Sequence, residues 1–145
     1  LGPTLTGRVE GERITIIAVI INGKYSLVPD ISVLLIDVRD VAKLHVTAMT
    51  AEGAVGKRFI AASDEPLHFK EVTGILKDAG YKKASTRQAP KFLLKLMSLF
   101  DDQVKGLLPM VGERQTVANK ETYEILGWEP TPIDQSLIET AESIA

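Results

Sequence analysis

The sequence predicts an α/β fold, mostly helical with a few short parallel strands, and three observations carry that expectation. Short apolar runs at 32–36 and 57–62 bracket a stretch of helical spacing at 37–50, so strand, helix and strand follow one another as in a parallel crossover unit. Further helical-period stripes fill most of the chain beyond Phe69. No internal repeat, low-complexity tract or linker interrupts the 145 residues, so one core is expected, hiding roughly 68–70% of the surface an unfolded chain exposes.

The elements read as follows. Residues 1–11 hold Gly2, Pro3, Gly7 and Gly11 and read as loop. Ile14, Thr15, Ile16, Ile17, Val19, Ile20 and Ile21 score as a strand by β-branching, but flanking Glu10, Glu12 and Asn22-Gly23 favour a buried helix. Continuous apolar character over 32–36 suits a strand covered on both faces. Asp37 then caps a helix with Asp40 in its first turn, and Val38, Val41, Ala42, His45, Ala48 and Met49 form its stripe, ending near Thr50. The second strand, 57–62, closes at Ser63-Asp64-Glu65-Pro66.

Phe69, Val72, Ile75, Leu76 and Ala79 line the next helix, which Gly80 ends in the left-handed conformation; a short strand is expected at 85–88. Pro90 opens a helix over 91–100 whose Phe92, Leu93, Leu96, Met97, Leu99 and Phe100 span a broad face. Asp101 caps a short sequel to Leu108. Asn119 caps a brief helix ending at Gly127, and Thr131-Pro132 starts a last one with Ile133, Leu137, Ile138, Ala141 and Ile144 inward.

Bulk properties exclude several function classes. Seventeen basic against nineteen acidic residues give a net charge of −2, which invites neither nucleic acid nor an anionic membrane as a partner. Cysteine is absent, so disulfide frameworks and thiol chemistry fall away and a reducing, cytoplasmic setting is expected. The apolar run at 14–21 is far shorter than the roughly 20 residues a membrane span needs. The opening at Leu1, running straight into Gly2-Pro3-Thr4, reads as a cut end.

Catalytic machinery is not visible. A dinucleotide site needs a glycine-rich turn so that backbone can approach the pyrophosphate; Gly53 and Gly56 come nearest, with Phe59 where a third glycine belongs. A carbonyl reductase also needs a proton donor, commonly a tyrosine whose pKa is lowered by a lysine one turn on. Tyr25, Tyr81 and Tyr123 are followed four residues later by Pro29, Ser85 and Gly127. His45 and His68 lack metal-ligand spacing, and neither Ser63 nor Ser98 sits in G-x-S-x-G. No metal ligand and no catalytic residue is assigned.

Four segments together resemble the C-terminal half of extended short-chain dehydrogenases/reductases of the NAD-dependent epimerase/dehydratase type: Gly2-Pro3-Thr4-Leu5, Ile36-Asp37-Val38-Arg39-Asp40-Val41-Ala42, Arg58-Phe59-Ile60-Ala61-Ala62 and Leu126-Gly127-Trp128-Glu129-Pro130. The set is most similar to the bacterial branch near dihydroflavonol 4-reductases and aldehyde reductases. The resemblance implies a Rossmann-type oxidoreductase in which an N-terminal lobe, absent from this sequence, binds NAD or NADP and supplies the catalytic Tyr and Lys. Residues 1–145 would then be a single substrate-binding portion. It would act on a small-molecule aldehyde or ketone, and no cofactor is expected to bind it alone. A sugar-nucleotide epimerase or dehydratase lobe, and a non-catalytic binding module, are the alternatives.

By the same resemblance, Gly2, Pro3 and Thr4 lie beside the cofactor, and Leu5, Met97 and Phe100 beside the substrate. For Met97 and Phe100 plain core packing is the more economical reading. Asp37, Arg39 and Asp40 read as cap and local ion pairs, His45 as a core or boundary histidine, and Trp128 as a structural plug with Pro130 setting the turn. Apolar surface left bare by the missing sheet is expected to drive self-association into a homo-oligomer.

Overall fold

Three helices whose apolar stripes meet make the main core: α1 (Glu12–Ile21), α3 (Phe69–Asp78) and α7 (Ile133–Glu142) pack on one another. A computed structural model describes residues 1–4, 12–100, 102–113 and 115–145, the side chains of residues 12, 13 and 103 excepted. Leu5, Gly7, Glu10, Gly11 and Asp101, singled out above, lie outside the described residues, and with them most of the 1–11 loop. Ile17, Ile20 and Ile21 of α1 meet Val72 and Leu76 of α3 and Leu137 and Ala141 of α7, with Val28, Ile31 and Leu35 closing the cluster. The β-branched run at 14–21 is therefore helical, because burying one side against two helices outweighs its strand propensity.

Between α1 and α3 lie β1 (Ser32–Val33) and α2 (Val38–Thr50), followed by β2 (Leu67–His68). The strand expectations need correction. β1 pairs with β2 antiparallel, Ser32 opposite His68 and Val33 opposite Leu67, so no parallel crossover forms between 32–36 and 57–62. Among the described residues, parallel geometry survives only as an isolated Val28–Gln88 bridge, at the expected 85–88 strand.

The 57–62 segment is not a strand among the described residues. Side chains and a loop bond hold it instead: Thr122 Oγ1 donates to Ile60 O at 2.9 Å and accepts from Ile60 N at 3.2 Å, Asn119 Nδ2 donates to Ala62 O, and Ser63 N donates to Leu35 O. A strand needs a ladder partner as well as apolar residues, and here that partner is not at hand.

The helix starts and stops follow the sequence closely. Asp37 caps α2 with its side chain, Gly80 follows α3 at φ 105°, and Gly127 ends α6 (Lys120–Leu126) at φ 58°. Asn119 precedes α6 but caps nothing with its side chain, since its amide is spent on Ala62 and Asp64. α4 (Lys91–Met97) is shorter than expected, with 98–100 in a turn; α5 (Asp102–Leu107) and a 3₁₀ turn (Leu108–Met110) follow.

Two helices bury a face other than the one read from their stripes. On α2, Asp40 and Leu44 are buried, whereas Val38, Val46, His45 and Met49 are exposed; the His45 ring makes a contact of 2.7 Å from Nδ1 to Val41 O. The core-histidine expectation is thereby overturned. Polar bonds orient this helix: Asp40 accepts from Thr131 N and Oγ1, which turns Leu44 into a second small core with Ala54, Leu126 and Trp128. On α4 the buried residue is Leu94, while Met97 is 45% and Phe100 88% exposed, which rules out core packing for both.

Candidate functional site

Residues 1–4 dock in a seam between the 35–38 segment and the C-terminal end of α7. Leu1 donates from its nitrogen to Ile36 O at 2.8 Å and accepts from Val38 N at 2.7 Å. Gly2 N donates to Thr140 Oγ1 at 2.7 Å, and Thr4 N to Ser143 Oγ at 3.0 Å. Gly2 has to be glycine: its φ is 120°, and a Cβ would stand 2.8 Å from Val38 Cγ1 and 3.2 Å from Asp37 Oδ1. Pro3 and Thr4 are half-buried at the outer end of this seam.

Beneath Gly2 lies a buried carboxylate. Asp37 Oδ1 accepts from Arg39 N at 2.7 Å and Arg39 Nε at 2.9 Å, and Oδ2 accepts from Arg39 Nη2 at 2.7 Å and Ser136 Oγ at 2.6 Å. Arg39 also pairs with Glu139 at 2.6 Å. The Arg39 hydrogen bonds hold the Asp37 carboxyl well below the usual carboxylate range, against the opposing effect of burial. The Arg39 guanidinium is held correspondingly more basic, and Glu139 is shifted down by its bonds to Gln135 and Arg39. Cap and ion pair, as the sequence suggests, account for Asp37 and Arg39, whereas Asp40 bonds Thr131 in place of a local ion pair; the reach of Asp37 to Ser136, of Arg39 to Glu139 and of Asp40 to Thr131 does not follow from local reading. Its only trace is Ser136 and Thr140, four apart on the helical side that carries Leu137 and Ala141.

A concavity of about 160 Å³ adjoins this carboxylate, lined by Asp37 and Asp40 themselves with Leu35, Asp64, Tyr123, Trp128 and Thr131 among others. Trp128 is buried and stacks on Tyr123 with ring centroids 5.0 Å apart, which fits the plug reading. Asp64 accepts from Asn119 Nδ2 and from the Tyr123 hydroxyl at 2.9 Å. Burial and that carboxylate push the Tyr123 hydroxyl up to about 12, opposite to the shift that would tune a tyrosine as proton donor at neutral pH.

The second concavity, about 510 Å³, is lined by Asp30, His68, Lys70, Glu71, Gly74, Thr86 and Gln88. His68 Nδ1 lies 3.3 Å from Ser32 Oγ and 3.9 Å from Asp30 Oδ1. Both contacts fall on the same ring nitrogen, so the imidazole does not bridge serine and carboxylate as a nucleophile relay requires. No group of three or more His, Asp or Glu among the described residues is arranged to hold a metal. No helix of the described residues is long and apolar enough to cross a membrane.

Of the residues expected to form a site, Gly2, Pro3 and Thr4 come together on the α7 seam. Met97 and Phe100 sit apart on α4 and the turn after it, facing solvent. Neither concavity is lined by any of the five.

No protein-family model matches the sequence, and no curated protein matches it. Among solved structures, the chain is similar to the crystal structure of Gre2 in complex with NADPH from Candida albicans, with a TM-score of 0.64 and 23% sequence identity. The match covers 99% of this chain and 40% of that one, so the chain spans about two-fifths of the length of its structural neighbour. Its helices and short sheet therefore share the fold of that portion of an NADPH-bound protein.

Proposed function

We propose that this chain is the substrate-side lobe of an NAD(P)-dependent oxidoreductase of the extended short-chain dehydrogenase/reductase kind, reducing an aldehyde or ketone. The observation that carries this reading is the end-to-end likeness to two-fifths of a chain solved with NADPH bound. The glycine-rich turn and the Tyr-x-x-x-Lys pair that the chemistry needs are not in this sequence, so polypeptide beyond it supplies them.

The exposed apolar side chains Val38, Val46 and Met49 of α2, together with the bare Val55, support the reading, since large apolar surface left uncovered marks a place of contact. The expected cover is the dinucleotide-binding lobe; in its absence the same face is expected to drive self-association. A bound nicotinamide supplies the hydride in such an enzyme. This chain's share is to hold Gly2-Pro3-Thr4 beside that cofactor, fixed by Thr140 and Ser143, and to wall the substrate with Leu5, Met97 and Phe100.

The test is Phe100→Ala in the complete gene product. The expected result is a raised KM for an aldehyde with melting temperature nearly unchanged, because Phe100 is 88% exposed here. A lowered melting temperature with unchanged KM would remove Phe100 from the substrate wall.

A further inference from the structure

Charge is distributed unevenly along this sequence. Residues 79–100 contain Lys82, Lys83, Arg87, Lys91 and Lys95 and no carboxylate, while all 19 acidic side chains lie elsewhere. All five cations are exposed, and none is in an ion pair among the described residues. The near-neutral total of −2 hides this segment.

The same segment carries α4. At about 100° per residue, Phe92 and Leu96 share one side of α4 roughly opposite Leu94, its buried residue, and Leu99 extends that ridge in the turn that follows, where its amide donates to Leu96 O. The ridge is bare: Phe92 is 72%, Leu96 54% and Leu99 74% exposed. Lys91 and Lys95, one turn apart, run along one flank of it, and Met97 and Phe100 lie toward the other. Large apolar side chains pointing outward, edged by lysines whose stems can lie along an apolar surface while their heads reach anionic groups, form the pattern of an element seated in a bilayer interface.

We propose that the Phe92–Leu96–Leu99 ridge with Lys91 and Lys95 docks on an anionic phospholipid surface, lying in the headgroup plane without crossing the bilayer. This departs from the expectation drawn from net charge alone. It does not require the reductase reading, because the ridge is distinct from the Met97 and Phe100 side assigned to substrate. Charge complementarity favours this occupant: a second copy meeting the ridge face to face would bring Lys91 and Lys95 against their own like charges, whereas an anionic bilayer neutralises them.

The experiment is co-sedimentation of the 145-residue chain with vesicles containing about 30% anionic phospholipid, beside vesicles of neutral phospholipid only. The expected result is pelleting with the anionic vesicles at low salt and release at about 0.5 M salt. Lys91→Gln with Lys95→Gln should weaken binding by roughly five-fold per cation removed. Phe92→Ser with Leu96→Ser should abolish it, with circular dichroism unchanged since both side chains are exposed. Val46→Ser with Met49→Ser on α2 should leave it intact. The proposal is overturned by a folded chain that stays in the supernatant, by equal pelleting with neutral vesicles, or by binding that follows the α2 pair. It is also overturned if the α4 pair changes only the sedimentation of the free protein, which would make the ridge a contact between copies.

Discussion

Replacing Asp37 with asparagine tests the polar clamp that joins α2 to α7. The carboxylate is fully buried and accepts four hydrogen bonds, two on each oxygen. Asparagine keeps Oδ1 and with it the cap to Arg39 N and the bond to Arg39 Nε. Its amide nitrogen then faces Arg39 Nη2, donor against donor, while Ser136 can turn to accept. The net loss is about one charge-assisted hydrogen bond, worth about 1.5–3 kcal/mol. Arg39 is 41% exposed and retains Glu139, so water and that partner soften the loss toward about 2 kcal/mol.

Urea unfolding followed by far-ultraviolet circular dichroism at neutral pH reads this directly. With an m-value of about 2 kcal/mol/M, the midpoint should fall by about 1 M. The pH dependence has a fixed sign. Asp37 has a folded pKa below its unfolded value, so the stability it contributes is complete above the unfolded carboxylate range and is lost as pH falls through it toward the folded value. The gap between native chain and Asp37→Asn should therefore narrow on acidification below about pH 4. A variant within about 0.5 kcal/mol of the native chain at neutral pH, or a gap that widens in acid, would refute the clamp.

Other outcomes follow from the same geometry. Thr122→Val removes both bonds to Ile60, so stability should drop by about 2 kcal/mol and the Ile60 amide should exchange faster; unchanged exchange would contradict its role in holding 57–62. Gly2→Ala should cost about 1–3 kcal/mol, and clearly more than Gly53→Ala, because both have positive φ but only Gly2 lacks room for a Cβ; equal melting temperatures would contradict this. A phenolate absorbance titration should show a step near pH 12 that disappears in Tyr123→Phe, and its persistence would assign that step elsewhere.

Much of the helical framework was readable because its signals are local. Asp37 before Val38, Gly80 after α3 and Gly127 after α6 announce their own backbone conformations, and the structure places each there. Strands depend on a partner elsewhere. The 57–62 run has the apolar character of a strand, yet Thr122 and Asn119 take up its polar groups in place of a ladder. Periodicity likewise identifies a helix without saying which side is covered. Asp40 faces inward because of Thr131, a contact distant in sequence, Leu94 is the buried residue of α4, and much of the stripes on α2 and α4 that look like core is left bare. The Gly2–Thr140, Thr4–Ser143 and Asp37–Ser136 links span 138, 139 and 99 residues and rest on hydroxyls that resemble any other surface serine or threonine in the sequence.

On the reading proposed above, these residues complete a nicotinamide enzyme whose phosphate cradle lies in polypeptide outside them. Calorimetry with NADPH, run on the 145-residue chain and on the complete gene product and followed by NADPH oxidation with an aldehyde panel, addresses it most directly. Heat of binding and turnover are expected for the complete product and neither for the chain alone. Saturable NADPH binding by the 145-residue chain, or a complete product that consumes no NADPH with any carbonyl compound, would contradict it.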